Sequence, residues 1–370
     1  MQKNLNLQKR GFTTIELLVA ITVTAILAGL LLSISTSVLN TQKQSSSSLE
    51  SNQIAQFVLD QIQEDLQCAL FRNDGNAWLA LSILNDTENS GNWNNEPQED
   101  LVKPSDPQYS LRITESDWPD ENSLQFDPFS GQGPLSESRF GVAGTWLRFF
   151  SQSPETDPSS TNLGAARAIA YQIIRHGVTN SPKSIPRYQL FRTDVTAKDT
   201  FEAGYDLGPD GGYAQNASNT PRTENQFRIP TAIKSPIFDG DQSFADATIF
   251  SLASNIIDFG VRAYVTEKKS DGSGNFEQVF PIISISSKSL QGDEFYSIRN
   301  PTASNEGPFP DFLDVMIRVL TKEGAKVISN YELGLTPNTS GLSHEEYWWQ
   351  IAEKNSDVFV RRIKIFGSGL

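Results

Sequence analysis

The sequence predicts an α+β protein in which one long N-terminal helix, membrane-spanning in its first half, packs on an antiparallel β-sheet domain with long loop insertions. Three observations predict it. An apolar stretch runs from 13 to 32 with Glu16 as its only charge. Ile54, Val58, Ile62, Leu66 and Leu70 then recur every four residues, the stripe of an amphipathic helix. Further on, segments rich in β-branched and aromatic residues alternate with polar ones rich in Asn, Pro, Gly and Ser.

The N-terminus carries the sharpest signal. Residues 12–32 would span about 31 Å as a helix, the thickness of a hydrocarbon core. Lys9 and Arg10 form a basic flank of the cytoplasmic kind. Glu16 lies inside the span, where an unpaired carboxylate costs a few kcal/mol, roughly 2.5–3.5. A cut after Gly11 supplies a partner: Phe12 becomes a free amine one helical turn from Glu16, on the same chain or a neighbour. An ordinary secretory signal has a shorter apolar core and a small-residue cleavage site on its far side. Ser33-Ile34-Ser35-Thr36-Ser37-Val38-Leu39-Asn40 offers no Ala-x-Ala. A plain anchor explains the length and the basic flank, but neither Glu16 nor the Gly-Phe junction.

The run Gly11-Phe12-Thr13-Thr14-Ile15-Glu16-Leu17-Leu18-Val19-Ala20, behind Lys9-Arg10, resembles the class III signal of type IV pilins and type II secretion pseudopilins. The resemblance implies cleavage after Gly11 by a prepilin peptidase and methylation of the Phe12 amine. It implies that Glu16 serves assembly, with other pilins or pseudopilins bound through the N-terminal helix and an inner-membrane assembly platform beneath. It places the leader 1–11 in the cytoplasm, a single span in the inner membrane, and the rest in the periplasm or beyond.

Residues 12–39 are the expected transmembrane and assembly helix. Ala25 and Gly29 are spaced for close helix packing, and no proline occurs before Pro97 to kink it. Residues 41–53 are polar and poor in helix propensity, and either stay helical or melt when subunits pack. Residues 40–72 form the amphipathic outer half, stopping near Asn73-Asp74-Gly75-Asn76. The globular domain is 73–370, with strands expected at 78–83, 123–126, 145–150, 167–174, 188–192, 256–266, 276–285, 313–320 and 358–366. Insertions near 85–122, 151–166 and 193–245 are long for connections in a compact domain.

A second resemblance, to minor pseudopilin J of type II secretion, rests on three passages. Gln61-Ile62-Gln63-Glu64-Asp65-Leu66-Gln67 is similar to that family's late-helix segment. Ala170-Tyr171-Gln172-Ile173-Ile174 and Arg187-Tyr188-Gln189-Leu190-Phe191-Arg192 resemble its paired strands. Ile256-Ile257-Asp258-Phe259-Gly260-Val261-Arg262-Ala263-Tyr264, then Pro310-Asp311-Phe312-Leu313-Asp314-Val315-Met316-Ile317-Arg318-Val319, resemble its closing and final core strands. The chain is also similar to a verrucomicrobial group of large pilin-like proteins encoded in cassettes.

Without its leader the chain holds 27 basic and 44 acidic residues, a formal charge of −17. Nucleic acid is excluded as a partner, because phosphate binding needs a basic stripe. The one basic cluster, Arg361-Arg362-Ile363-Lys364, alternates like a solvated strand face. Cys68 is the sole cysteine, so no intrachain disulfide forms, and it reads as a small packed hydrophobe. His176 and His344 are too far apart in sequence to suggest a histidine-rich metal site. Gly-x-Ser-x-Gly and the phosphate-loop pattern are both missing, so no catalytic residue is assigned. Asp271, Ser273 and Asn275 place oxygens at alternate positions like the start of a calcium loop. A hairpin turn explains the same residues. Trp348-Trp349 reads as burial against the last strand, the alternative being an exposed aromatic patch.

Two functions follow. One is a structural, non-enzymatic filament subunit without a cofactor. The other is a membrane-anchored extracytoplasmic binding protein or enzyme, its loops with Trp93 and Trp118 lining a ligand surface.

Overall fold

The computed structural model describes residues 13–83, 135–140, 144–152, 166–177, 186–195, 197, 200–201, 204–208, 251–268, 274–284, 289–292, 294–298, 301, 303–342, 344–366 and 368–369. Its elements run α1 (Thr14–Gln67), β1 (Leu70–Phe71), β2 (Leu79–Ile83), β3 (Thr145–Ser151), β4 (Arg167–Gly177), β5 (Pro186–Asp194) and β6 (Ser251–Ser254). They continue with β7 (Ile256–Lys268), β8 (Gly274–Phe280), β9 (Ile282–Ser284), β10 (Ser289–Gly292), β11 (Glu294–Ser297) and β12 (Glu306–Gly307). The last are β13 (Phe312–Leu320), α2 (Lys322–Glu332), α3 (His344–Lys354), β14 (Ser356–Lys364) and β15 (Ser368–Gly369). The architecture is α+β, with a long N-terminal helix followed by mostly antiparallel sheets.

The chain falls into two compact units, 1–50 and 51–370. In the first, α1 includes one stretch, Thr14–Leu39, long and apolar enough to cross a membrane. Hydroxyls do not break it. Thr22, Thr24 and Thr36 donate to the carbonyls of Leu18, Ala20 and Leu32, so their O–H groups need no outside partner. In the single chain the polar stretch 41–53 is helical within α1.

In the second unit, α1 buries Ala55, Val58, Leu59, Ile62 and Leu66 in one core with both large sheets. The spacing 55, 58, 59, 62, 66 is the apolar stripe of a surface helix. The helix stops at Gln67, short of the expected 72. Ala69 is taken into a bridge with Ser151, and Leu70 and Phe71 pair with the C-terminal β15. Leu70, the last residue of the expected apolar stripe, therefore packs in a second core with Trp78, Trp146 and Phe150.

Among the described residues, seven strands form one sheet in the order β12-β11-β2-β3-β4-β5-β6, and four form another, β14-β13-β7-β8. Asn255 alone joins β6 to β7, and so joins the two sheets. It takes the left-handed conformation (φ 66) that Asn tolerates better than most residues. Its N–H donates to the Tyr188 carbonyl and its carbonyl accepts from Leu320 N. The expected strand 276–285 is broken at Pro281, which has no N–H for a ladder, so β8 and β9 belong to different sheets. The expected strand 123–126 and the bulk of the three insertions lie outside the described residues. Strands β1, β6, β10, β11, β12 and β15 and helices α2 and α3 were not anticipated.

A strap at 135–140 lies against the four-stranded sheet. Asp258 accepts from Phe140 N at 3.0 and 3.2 Å, and Arg262 Nη2 donates to Ser138 Oγ at 3.0 Å. The Phe140 ring fills the space over Gly260, where a Cβ would lie 2.1 Å from Phe140 Cε2.

Candidate functional site

Gly11 and Phe12, the expected cleavage and methylation positions, lie outside the described residues. Glu16 is described, at the start of α1. Its Oε2 accepts from Thr13 N and from Thr13 Oγ1, both at 2.9 Å, while Glu16 N donates to Thr13 Oγ1 at 3.3 Å. This is a capping box, in which Thr13 and Glu16 satisfy each other's free groups at the helix start. The Thr-x-x-Glu spacing before an apolar run announces it. Glu16 thus closes the first turn of α1. A Cβ on Gly29 would meet nothing within 4 Å, so that face of the single chain is open.

A second polar constellation ties the outer part of α1 to the seven-stranded sheet. Asp65, fully buried, accepts from Arg192 Nε at 2.6 Å and Arg192 Nη2 at 2.9 Å. Tyr171 Oη donates to the same carboxylate. Arg192 also pairs with Asp194 at 3.2 Å, and Asp194 with Arg167 at 2.8 Å. Burial would push the Arg192 guanidinium down, yet the Asp65 hydrogen bond and charge leave it above its ordinary value. Burial and the adjacent Asp65 charge push the Tyr171 hydroxyl far up, so it remains a donor. The arrangement is a bidentate pair closed by a phenol. Asp65 lies within the helix pattern, but nothing in the spacing announces its partners 106 and 127 residues away.

Asp258 is, like Asp65, a fully buried carboxylate. Burial raises it to about 7, against the opposing pull of Arg318, whose Nε lies 3.9 Å away, the N–H groups of Phe140 and Phe259, and the Arg139 charge.

The remaining sequence candidates resolve as follows. Asp271 and Ser273 lie outside the described residues. Asn275 stands in β8, opposite Glu267 of β7. No group of three or more metal-ligating side chains occurs among the described residues. Asp206, which was not singled out above, accepts from the N–H groups of Ala77 (3.1 Å) and Gly208 (2.9 Å), a structural use. His176 is in β4, opposite Arg187. Trp348 and Trp349 are buried on α3, and Trp348 Nε1 donates to Glu332 Oε1 at 3.0 Å, so no exposed tryptophan patch forms. Trp93 and Trp118 lie outside the described residues.

No curated protein and no solved structure matches the chain. Residues 6–32 match the model of the prokaryotic N-terminal methylation motif, which covers Gly11, Phe12 and Glu16. The chain therefore carries a type IV pilin-like prepilin signal, followed by an apolar helix suited to membrane anchoring.

Proposed function

We propose that the protein is a structural minor pilin or pseudopilin, cleaved after Gly11, methylated on Phe12 and assembled into a type II secretion pseudopilus or a type IV pilus-like filament. The observation that carries it is the methylation motif running into an apolar helix with Glu16 as its only charge before Lys43. Glu16 neutralises the Phe12 amine of a neighbour, a pair made where an unmatched carboxylate is costly. The domain 51–370 stands outside the inner membrane, as a minor subunit rather than the bulk repeat. The role needs neither catalysis nor a cofactor; its partners are prepilin peptidase, other filament subunits and the assembly platform.

Likeness to pseudopilin J gains support from two arrangements. Asp65, Tyr171 and Arg192 come one from each of three matched segments, and they meet in one network. The other two matched segments contain β7 and β13, which pair side by side.

The test is the intact mass and N-terminal peptide of the membrane-extracted protein, from cells with and without prepilin peptidase. A methylated chain beginning at Phe12, dependent on the peptidase, is expected. A chain beginning at Met1 in both strains would overturn the proposal and leave an anchored binding protein or enzyme as the working reading.

A further inference from the structure

The strap 135–140 sits directly on a buried carboxylate. Asp258 of β7 is fully buried, and both of its oxygens accept from Phe140 N. The cations around it are held off or engaged elsewhere. Arg318 of β13, opposite Asp258 in the ladder, comes no nearer than 3.9 Å, beyond hydrogen-bond length. Arg139 of the strap donates to Glu353 of α3 and lies over the Trp349 ring at 5.3 Å. Arg262, further along β7, donates to Ser138 Oγ. On the same sheet Asp314 is taken by Arg362, and β14 sets the uncharged Val358 opposite Arg318. A buried carboxylate without a close ion pair is costly in its charged form. Lifting the strap would return water to it and remove that cost.

We propose that the strap is a proton-linked latch: protonation of Asp258 holds residues 135–140 down on β7, and ionisation of Asp258 lets them lift. This stands apart from the filament reading, since it needs only the domain 51–370.

The closed strap is the ground state, because Leu135 and Phe140 belong to the main core and the Phe140 ring fills the space over Gly260. The proton sets how often it opens. Burial holds the closed carboxyl at about 7 against the pull of Arg318, Phe140 N, Arg139 and Phe259 N, whereas water returns the open one toward 3.8. Closing therefore takes up a proton between these limits. Its contribution is complete below the lower value and is lost as pH rises through the upper one. The strap's other tie has the opposite sign: Glu353, if protonated in acid, would release Arg139 and loosen the strap there.

The test is hydrogen–deuterium exchange on the full-length protein in detergent, read on peptides across 135–140 and corrected for the intrinsic pH dependence of amide exchange. The N–H groups of Ser138 and Phe140, bonded to Leu135 O and Asp258, are the reporters. Their protection is expected to fall at least about tenfold from about pH 5 to about pH 7 and to level off above about pH 8. Peptides from β13 follow the opening of the whole domain and are expected to stay better protected than the strap at every pH. Asp258→Asn keeps an acceptor for Phe140 N and cannot ionise, so its strap is expected to hold one level of protection throughout. Should that variant not fold, the sign and plateau of the parent's profile decide alone. A flat parent profile, or protection that rises with pH, would overturn the latch. So would an Asp258→Asn strap that follows the parent's profile, or a parent strap no less protected than β13, because the proton would then act elsewhere or on global unfolding only.

Discussion

Three buried or membrane-bound carboxylates carry different loads. Glu16 closes the first turn of α1 and, in the proposed filament, meets a neighbour's amine. Glu16→Gln retains a carbonyl oxygen for Thr13 but loses the charge, whereas Glu16→Ala loses both. Both variants are expected to be cleaved normally and to fail to assemble, as measured by filament content in sheared fractions. Assembly of the Gln variant at the parent level would mean that capping, not charge, is the task. Asp65 holds a guanidinium and a phenol at once, so Asp65→Ala leaves Arg192 mostly buried without its main partner. A loss of about 3–5 kcal/mol is expected by denaturant titration of the outer domain. Asp258 works in the opposite sense. Its folded value of about 7 lies above the ordinary carboxylate value of 3.8, so the folded state binds the extra proton between those limits. Stability attributable to this group is therefore greatest at low pH and falls as pH rises from about 4 through about 7. Asp258→Asn is expected to flatten that slope in melts across the same window.

At the scale of elements, the strap and the C-terminal helices are the parts set by close contact. Gly260 leaves room for the Phe140 ring, so Gly260→Ala forces the strap or β7 to move. A cost of about 1–3 kcal/mol is expected, with faster exchange at 138–140 than in the parent. Thr321 caps α2, its hydroxyl accepting from Gly324 N at 3.1 Å. Thr321→Ala is expected to cost about 1 kcal/mol in the same titration. The cap and the buried positions Ala325, Ile328 and Tyr331 were present in the sequence as a helix signal. The eye is drawn instead to the β-rich stretches on either side. In α3, Trp348 and Trp349 look like strand residues by composition, yet they lie on a helix and enter the core shared with the sheets.

At the scale of the whole molecule, the chain divides at residue 50. A fragment beginning at Ser51 retains the α1 residues that enter the core, and is expected to unfold in one cooperative transition by calorimetry. The apolar segment and the methylation motif that holds Glu16 are legible in sequence because they depend on local order and on the solvent: lipid rewards an unbroken apolar helix and penalises a lone carboxylate wherever the rest of the chain goes. The α+β class follows from the change of period, from four to roughly two, after residue 70. Partners across the fold are a different matter. Neither Asp65's choice of Tyr171 and Arg192, nor the strap over Gly260, nor the end of α1 at Gln67 is written in any local spacing, because each is settled by which strands lie side by side. Strand order also decides that β14 is left as an edge, since a strand's own sequence does not say whether one or two neighbours will satisfy its backbone.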